Sequence, residues 1–129
     1  MATVRKDILV SASAEEVWDA IRDIGALHTK LVPGFVVDTR LEAGARIVTF
    51  QDGLVVREPI ITLDEQRRRL VWSVEGIPAT HYNASVQVDS DGPGSHIVWI
   101  ADFLPDEISS QIEEAMEAGA LAMRAALNR

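Results

Sequence analysis

Any fold for this chain must find a place for its final segment. Between Asp106 and Leu127, the residues Ile108, Ile112, Ala115, Met116, Gly119, Ala120, Met123 and Leu127 recur at helical spacing. They form an apolar stripe of about five turns that has to be buried against another element. Glu107, Glu113, Glu114 and Glu117 crowd the first half and Arg124 and Arg129 the end, a polarity that complements the helix dipole. The glutamates read as solvated charge.

The partner for that stripe lies upstream. Thr3 to Val10 keeps Val4, Lys6, Ile8 and Val10 on one parity and reads as a strand. Ser13-Ala14-Glu15-Glu16 fits a capping box opening a helix through Val17, Ala20, Ile21 and Ile24, with Gly25 as its stop. Ala26 to Val32 adds a short second helical turn. Six further strands follow: Phe35 to Leu41, Ala45 to Phe50, Leu54 to Leu63, Arg69 to Glu75, Thr80 to Val88 and His96 to Leu104. Turn residues separate most of them, including Asp52-Gly53, Gly76-Ile77-Pro78 and Asp91-Gly92-Pro93-Gly94, and short connections favour antiparallel hairpins. Pro59 sits inside a strand and predicts a bulge or local break. The expectation is an α+β domain spanning residues 1–129, in which a curved antiparallel sheet of seven strands packs on the terminal helix and two short helices lie between strands 1 and 2.

Composition removes several function classes. The chain has 129 residues and no Cys, which excludes a disulfide scaffold, a Cys-based zinc site and a thiol nucleophile. His28, His81 and His96 lie far apart, so no metal site is expected. A net charge of −8 argues against nucleic acid or anionic lipid as the main partner. No signal peptide or membrane-length apolar run is seen, and the reading is a cytoplasmic protein without stable membrane insertion. No cofactor is expected, and a homodimer is left open.

The sequence resembles the SRPBCC helix-grip superfamily, which includes START lipid-transfer domains, the birch-pollen allergen, plant abscisic-acid receptors and polyketide cyclase/dehydrase-like proteins. The resemblance is carried by S-A-E-E-V-W-D-A-I at Ser13 to Ile21, G-A-R at Gly44 to Arg46, and D-G-L-V-V-R-E at Asp52 to Glu58. L-D-E-Q-R-R-R-L-V-W-S-V at Leu63 to Val74 and V-W-I-A-D-F-L-P at Val98 to Pro105 continue it. It is strongest with the bacterial polyketide-cyclase-like branch and covers nearly the whole chain. It implies a sheet gripping the terminal helix around a cavity. Members bind or transfer hydrophobic ligands and only some catalyse reactions, so fold leaves function open.

Strand parity names a candidate wall for such a cavity. Leu70, Trp72 and Val74 share one face, as do Tyr82, Ala84, Val86 and Val88. In the last strand Ile97, Trp99, Ala101 and Phe103 are taken as inward because Asp102 marks the other parity. Val48, Phe50 and Val56 continue the wall. Met116, Gly119, Ala120 and Met123 face it from the helix. The small residues Ala84, Ala101 and Gly119 suggest unfilled space.

Arg46 and Glu58 are the informative polar residues. With Gln51-Asp52-Gly53 as a three-residue turn they stand opposite each other on the inward face; a two-residue Asp52-Gly53 turn would put Arg46 opposite Pro59. The resemblance favours the first, because the family's matching pair points toward the cavity. Such a pair orients or polarises a ligand carbonyl, or simply fixes strand register. Tyr82 adds a phenol able to hydrogen-bond a ligand or donate a proton. His28 reads as a rim residue, and His81 points outward. Arg67-Arg68-Arg69 reads as solvated, or paired with Asp64 and Glu65. Two main readings follow: a carrier of a hydrophobic or amphipathic small molecule, or a cyclase or dehydratase using Arg46, Glu58 and Tyr82. A third is an interaction module with a vestigial cavity, which a filled core would favour.

Overall fold

Local chemistry decides where each element begins and ends. In the computed structural model, which describes residues 1–128, β1 spans Ala2–Val10 and α1 spans Ala14–Arg22. Ser13 caps α1: its hydroxyl oxygen accepts the Glu16 N–H at 3.2 Å and its O–H donates to Glu16 Oε1 at 3.2 Å. The helix ends at Asp23, earlier than Gly25. Gly25 instead lies within a 3₁₀ turn, Ile24–Ala26, close against the Leu41 side chain, where a Cβ would meet carbon at 3.2 Å. A π-helical turn, Leu27–Leu31, then buries Leu27 and Leu31.

The remaining strands are β2 (Val36–Glu42), β3 (Ala45–Phe50), β4 (Val55–Asp64), β5 (Arg69–Ser73), β6 (His81–Asp91) and β7 (Gly94–Leu104). They form one antiparallel sheet in the order β1-β7-β6-β5-β4-β3-β2. The β6–β7 hairpin runs to Asp91 opposite Gly94, beyond the apolar alternation that marked it in sequence, because backbone pairing continues through polar residues. A 3₁₀ turn at Asp106–Ile108 leads into α2, Ser109–Leu127.

The sheet is curved, and α2 crosses its concave face in the helix-grip arrangement. Alternation delivers the core: Val4, Ile8 and Val10 from β1, Leu70 and Trp72 from β5, Ala84, Val86 and Val88 from β6, and Ile97, Trp99, Ala101 and Phe103 from β7 are all buried. Val71, on the opposite parity, is buried as well. Pro59 leaves its mark on the sheet. The β4–β5 register shifts between Ile60 and Thr62, and beyond Ile60–Trp72 the ladder returns only as an Arg57–Glu75 bridge. Proline has no N–H to give at that point.

The two ends of α2 are tied down on one side. Lys6, inward on β1, reaches Glu117 at 2.8 Å and also bonds Glu113. The Ala12 N–H donates to the Leu127 carbonyl at 3.1 Å, and the Ser11 N–H to Asn128 Oδ1 at 2.9 Å. Two of the helix glutamates are therefore anchors while remaining exposed to solvent. In the basic run Arg67 pairs with Asp64 at 3.3 Å, while Glu65 takes Arg22 instead at 2.8 Å.

Candidate functional site

Opposite those anchors the core opens. A cavity of about 500 Å³ lies between β3–β7, the π-helical turn and α2 as far as Met123. Its size falls within the ~300–1,000 Å³ of small-molecule sites. Its wall is mostly apolar: Phe50, Val56, Trp72, Val74 and Trp99 from the sheet, Met116 and Met123 from α2. Leu27, Leu31, Val32 and Phe35 close it from the segment before β2. That last group was not legible in sequence, because a short irregular turn has no period that says which side faces inward. Ile77 and Pro78 join from the β5–β6 loop.

The polar pole is built by register. The Phe50 N–H donates to the Leu54 carbonyl at 2.8 Å, leaving Gln51-Asp52-Gly53 as the turn, with Gly53 at φ 92°. Arg46 consequently stands opposite Glu58. Its Nε donates to Glu58 Oε1 at 2.8 Å, and both side chains are buried, at 3% and 8% exposure. The guanidinium also lies 5.5 Å from the Trp72 ring centre, a cation–π contact, and Nη1 reaches the Ile24 carbonyl at 3.5 Å. Three neighbours thus hold one arginine in a single orientation. Its charge is balanced inside the protein by a carboxylate that spends one oxygen on it.

Tyr82 shares the same cavity. Its ring stacks on Phe103 with centroids 6.0 Å apart. Burial, reinforced by the Glu58 charge, pushes the phenol pKa up, so the hydroxyl stays protonated and available as a neutral donor. No hydrogen bond joins it to the Arg46–Glu58 pair among the described residues. The site therefore offers a fixed ion pair and a separate phenol, with no nucleophile and base in contact.

Eight residues placed on the wall by strand parity or helix face lie behind it. Val48, Ala84, Val88, Ile97, Ala101, Phe103, Gly119 and Ala120 are buried but do not line the cavity. Gly119 shows why: a Cβ there would come within 2.8 Å of the Trp99 ring and 3.3 Å of Phe35. The space that a missing side chain leaves is filled by an aromatic neighbour, so Gly119 permits close packing rather than opening a void. The Trp99 indole N–H is buried there without an acceptor. His28 also stands apart, half-buried, with Nδ1 3.0 Å from Thr39 Oγ1.

The opening lies where exposed residues join the lining: Gln51, Asp52 and Leu54 at the β3–β4 turn, Pro78, and Gln111, Glu114 and Ala115 on α2. Among the described residues no group of three or more His, Cys, Asp or Glu is placed to hold a metal ion, and no helix is long and apolar enough to cross a membrane.

The family model described as polyketide cyclase / dehydrase and lipid transport matches residues 1–129. No curated protein matches. Among solved structures the chain is similar to the protein XoxI from Bacillus cereus, at 21% identity and TM-score 0.88, covering 98% of this chain and 96% of that one. It is similar to a START superfamily protein from Mycobacterium smegmatis, at 15% identity and TM-score 0.78, over 97% and 96% of the two chains. It is also similar to norcoclaurine synthase from Thalictrum flavum in complex with dopamine and hydroxybenzaldehyde, at 18% identity and TM-score 0.68, over 93% and 84%. At these identities the likeness shows the shared fold.

Proposed function

The chain belongs to the polyketide cyclase / dehydrase and lipid transport family, and from that premise we propose that it binds a hydrophobic or amphipathic small molecule inside the sheet–helix cavity. The observation that carries this reading is the cavity of about 500 Å³, apolar along its walls and polar at one pole. A filled core would have removed the reading. Apolar burial against Trp72, Val56, Met116 and Met123 supplies most of the affinity. The methionines adapt to shape. The second Glu58 oxygen, the outer guanidinium edge and the Tyr82 hydroxyl orient a polar end of the ligand.

Binding is favoured over catalysis because the charged groups are paired with each other and the phenol stands apart from any base. Arg46 is neutralised by Glu58, and Tyr82 has no base in hydrogen-bond contact to make it reactive. The test uses two readouts on the native protein. Mass spectrometry of an organic extract of the purified material should reveal a retained apolar compound. N-phenyl-1-naphthylamine, a neutral apolar fluorophore, should bind saturably and quench emission from Trp72 and Trp99. An empty extract together with non-saturable fluorophore uptake would sink the reading. Turnover of a polyketide-like substrate, lost in Tyr82→Phe, would move it to the cyclase or dehydratase alternative.

A further inference from the structure

We propose that this cavity discriminates by charge, admitting neutral and cationic amphiphiles in preference to anionic ones; the inference rests on the binding reading above and specifies its ligand class. It follows from where ionised groups stand along the path inward.

The first is the opening. Of the exposed residues that line it, the ionised ones are Asp52 and Glu114, on opposite sides, with Gln51 and Gln111 beside them. Asp52 is fixed in place, since its Oδ1 accepts the Leu54 N–H at 3.0 Å. No basic residue is among the described residues that line the opening, and Arg57 of β4 already holds Glu42 at 3.0 Å and Glu75 at 3.2 Å. An anion therefore approaches two carboxylates without a compensating base, and the chain's net charge of −8 adds to that field.

The second is the interior. Arg46 is the one basic side chain among the described residues lining the cavity, and it faces Glu58. A carboxylate or sulfonate that took Arg46 for itself would leave Glu58 buried and unpaired, a costly exchange. A neutral hydroxyl or amide meets no such penalty, because it can donate to the free Glu58 oxygen or accept from Tyr82 while the ion pair stays intact. A cationic head left at the opening gains from Asp52 and Glu114 while its tail fills the cavity. Arg46 lies four residues along β3 from Phe50, about 13 Å at strand rise, room enough for an extended tail between pole and opening.

The experiment compares ligands that differ only in head group. Decan-1-ol, decylammonium and decanoate, each below its micellar concentration, compete at neutral pH and low salt against bound N-phenyl-1-naphthylamine. Decanol and decylammonium should displace the fluorophore at concentrations about tenfold below decanoate, the scale expected of two nearby, partly solvated charges. Adding salt should narrow the gap between the two ions, and so should the double variant Asp52→Asn with Glu114→Gln, in which Asn keeps the acceptor for Leu54. Circular dichroism confirms that the variant folds. Decanoate binding as tightly as decylammonium, or a gap that the double variant leaves unchanged, overturns the charge inference alone. Failure of the fluorophore and all three competitors to bind overturns the binding reading, and this inference with it.

Discussion

The two flanks of α2 show what one helix can do with two different neighbours. Toward β1 and β7 it is seated: Lys6 bridges to Glu113 and Glu117, Gly119 lets the Trp99 ring, at the cavity's edge, come within what would be Cβ contact, and Leu127 is bonded to Ala12. Toward β3–β6 the same helix faces a cavity of about 500 Å³. The sequence difference is small. Gly119 and Ala118 are adjacent, yet one is buried against an aromatic ring and the other lines the open space. Close packing is concentrated on one flank, which leaves the other free to stay unfilled; it is not needed everywhere in a core that has to admit a ligand.

The largest expected effect comes from the one place where the open flank carries a buried charge. Glu58→Ala strands Arg46 in an apolar wall and should cost about 3–5 kcal/mol in urea unfolding. The double variant Arg46→Met with Glu58→Leu should recover most of that loss. If the single variant were nearly neutral, the polar pole would not be the constraint that the open flank imposes on stability.

Next is a matched pair on adjacent helix positions. Gly119→Leu drives a side chain into Trp99 and should cost about 3 kcal/mol. Ala118→Leu projects into the cavity and should change stability by no more than about 0.5 kcal/mol, while weakening N-phenyl-1-naphthylamine binding at least about tenfold through lost volume. Equal melting temperatures for the two variants would erase the distinction between the flanks.

The smallest effect sharpens the closed side. Lys6→Met keeps the apolar stem and removes the two ion pairs, and should cost about 1 kcal/mol. Because the glutamates are half exposed, at 55% and 51%, the cost should shrink as salt is raised. A loss that does not depend on salt would mean Lys6 acts through packing.

Much of this was legible in sequence because strands and helices have periods. Alternation assigned the inward faces of β5, β6 and β7, whereas the β3–β4 turn allowed two registers and only the family resemblance favoured the one that sets Arg46 opposite Glu58, which the structure shows. What periodicity cannot say is what fills the space opposite a small residue. Gly119 looked like room for a ligand and proved to be room for Trp99, because that answer depends on a strand some twenty residues earlier in the chain. The opening was hidden for a related reason: Ile77, Pro78, Gln51 and Asp52 sit in turns, where no repeat sets direction. One signal was available and passed over. Lys6 has inward parity in a strand otherwise lined by Val4, Ile8 and Val10, and Glu113 and Glu117 are four residues apart on one helix face. A cation among apolar neighbours asks for a partner, and that pair was the obvious candidate.

The strand order has a consequence for the order of events in folding. β2 through β7 each pair with the next in sequence, whereas β1 pairs with β7, joining Ala2 to Phe103. The earliest of these seven strands is therefore the last of them to find its neighbour, and the helix that completes the core follows later still. Six strands can assemble by local hairpins, but adding β1 to the β7 edge spans most of the chain and carries its loop entropy. Until α2 docks, the future binding chamber is an open trough with one wall missing.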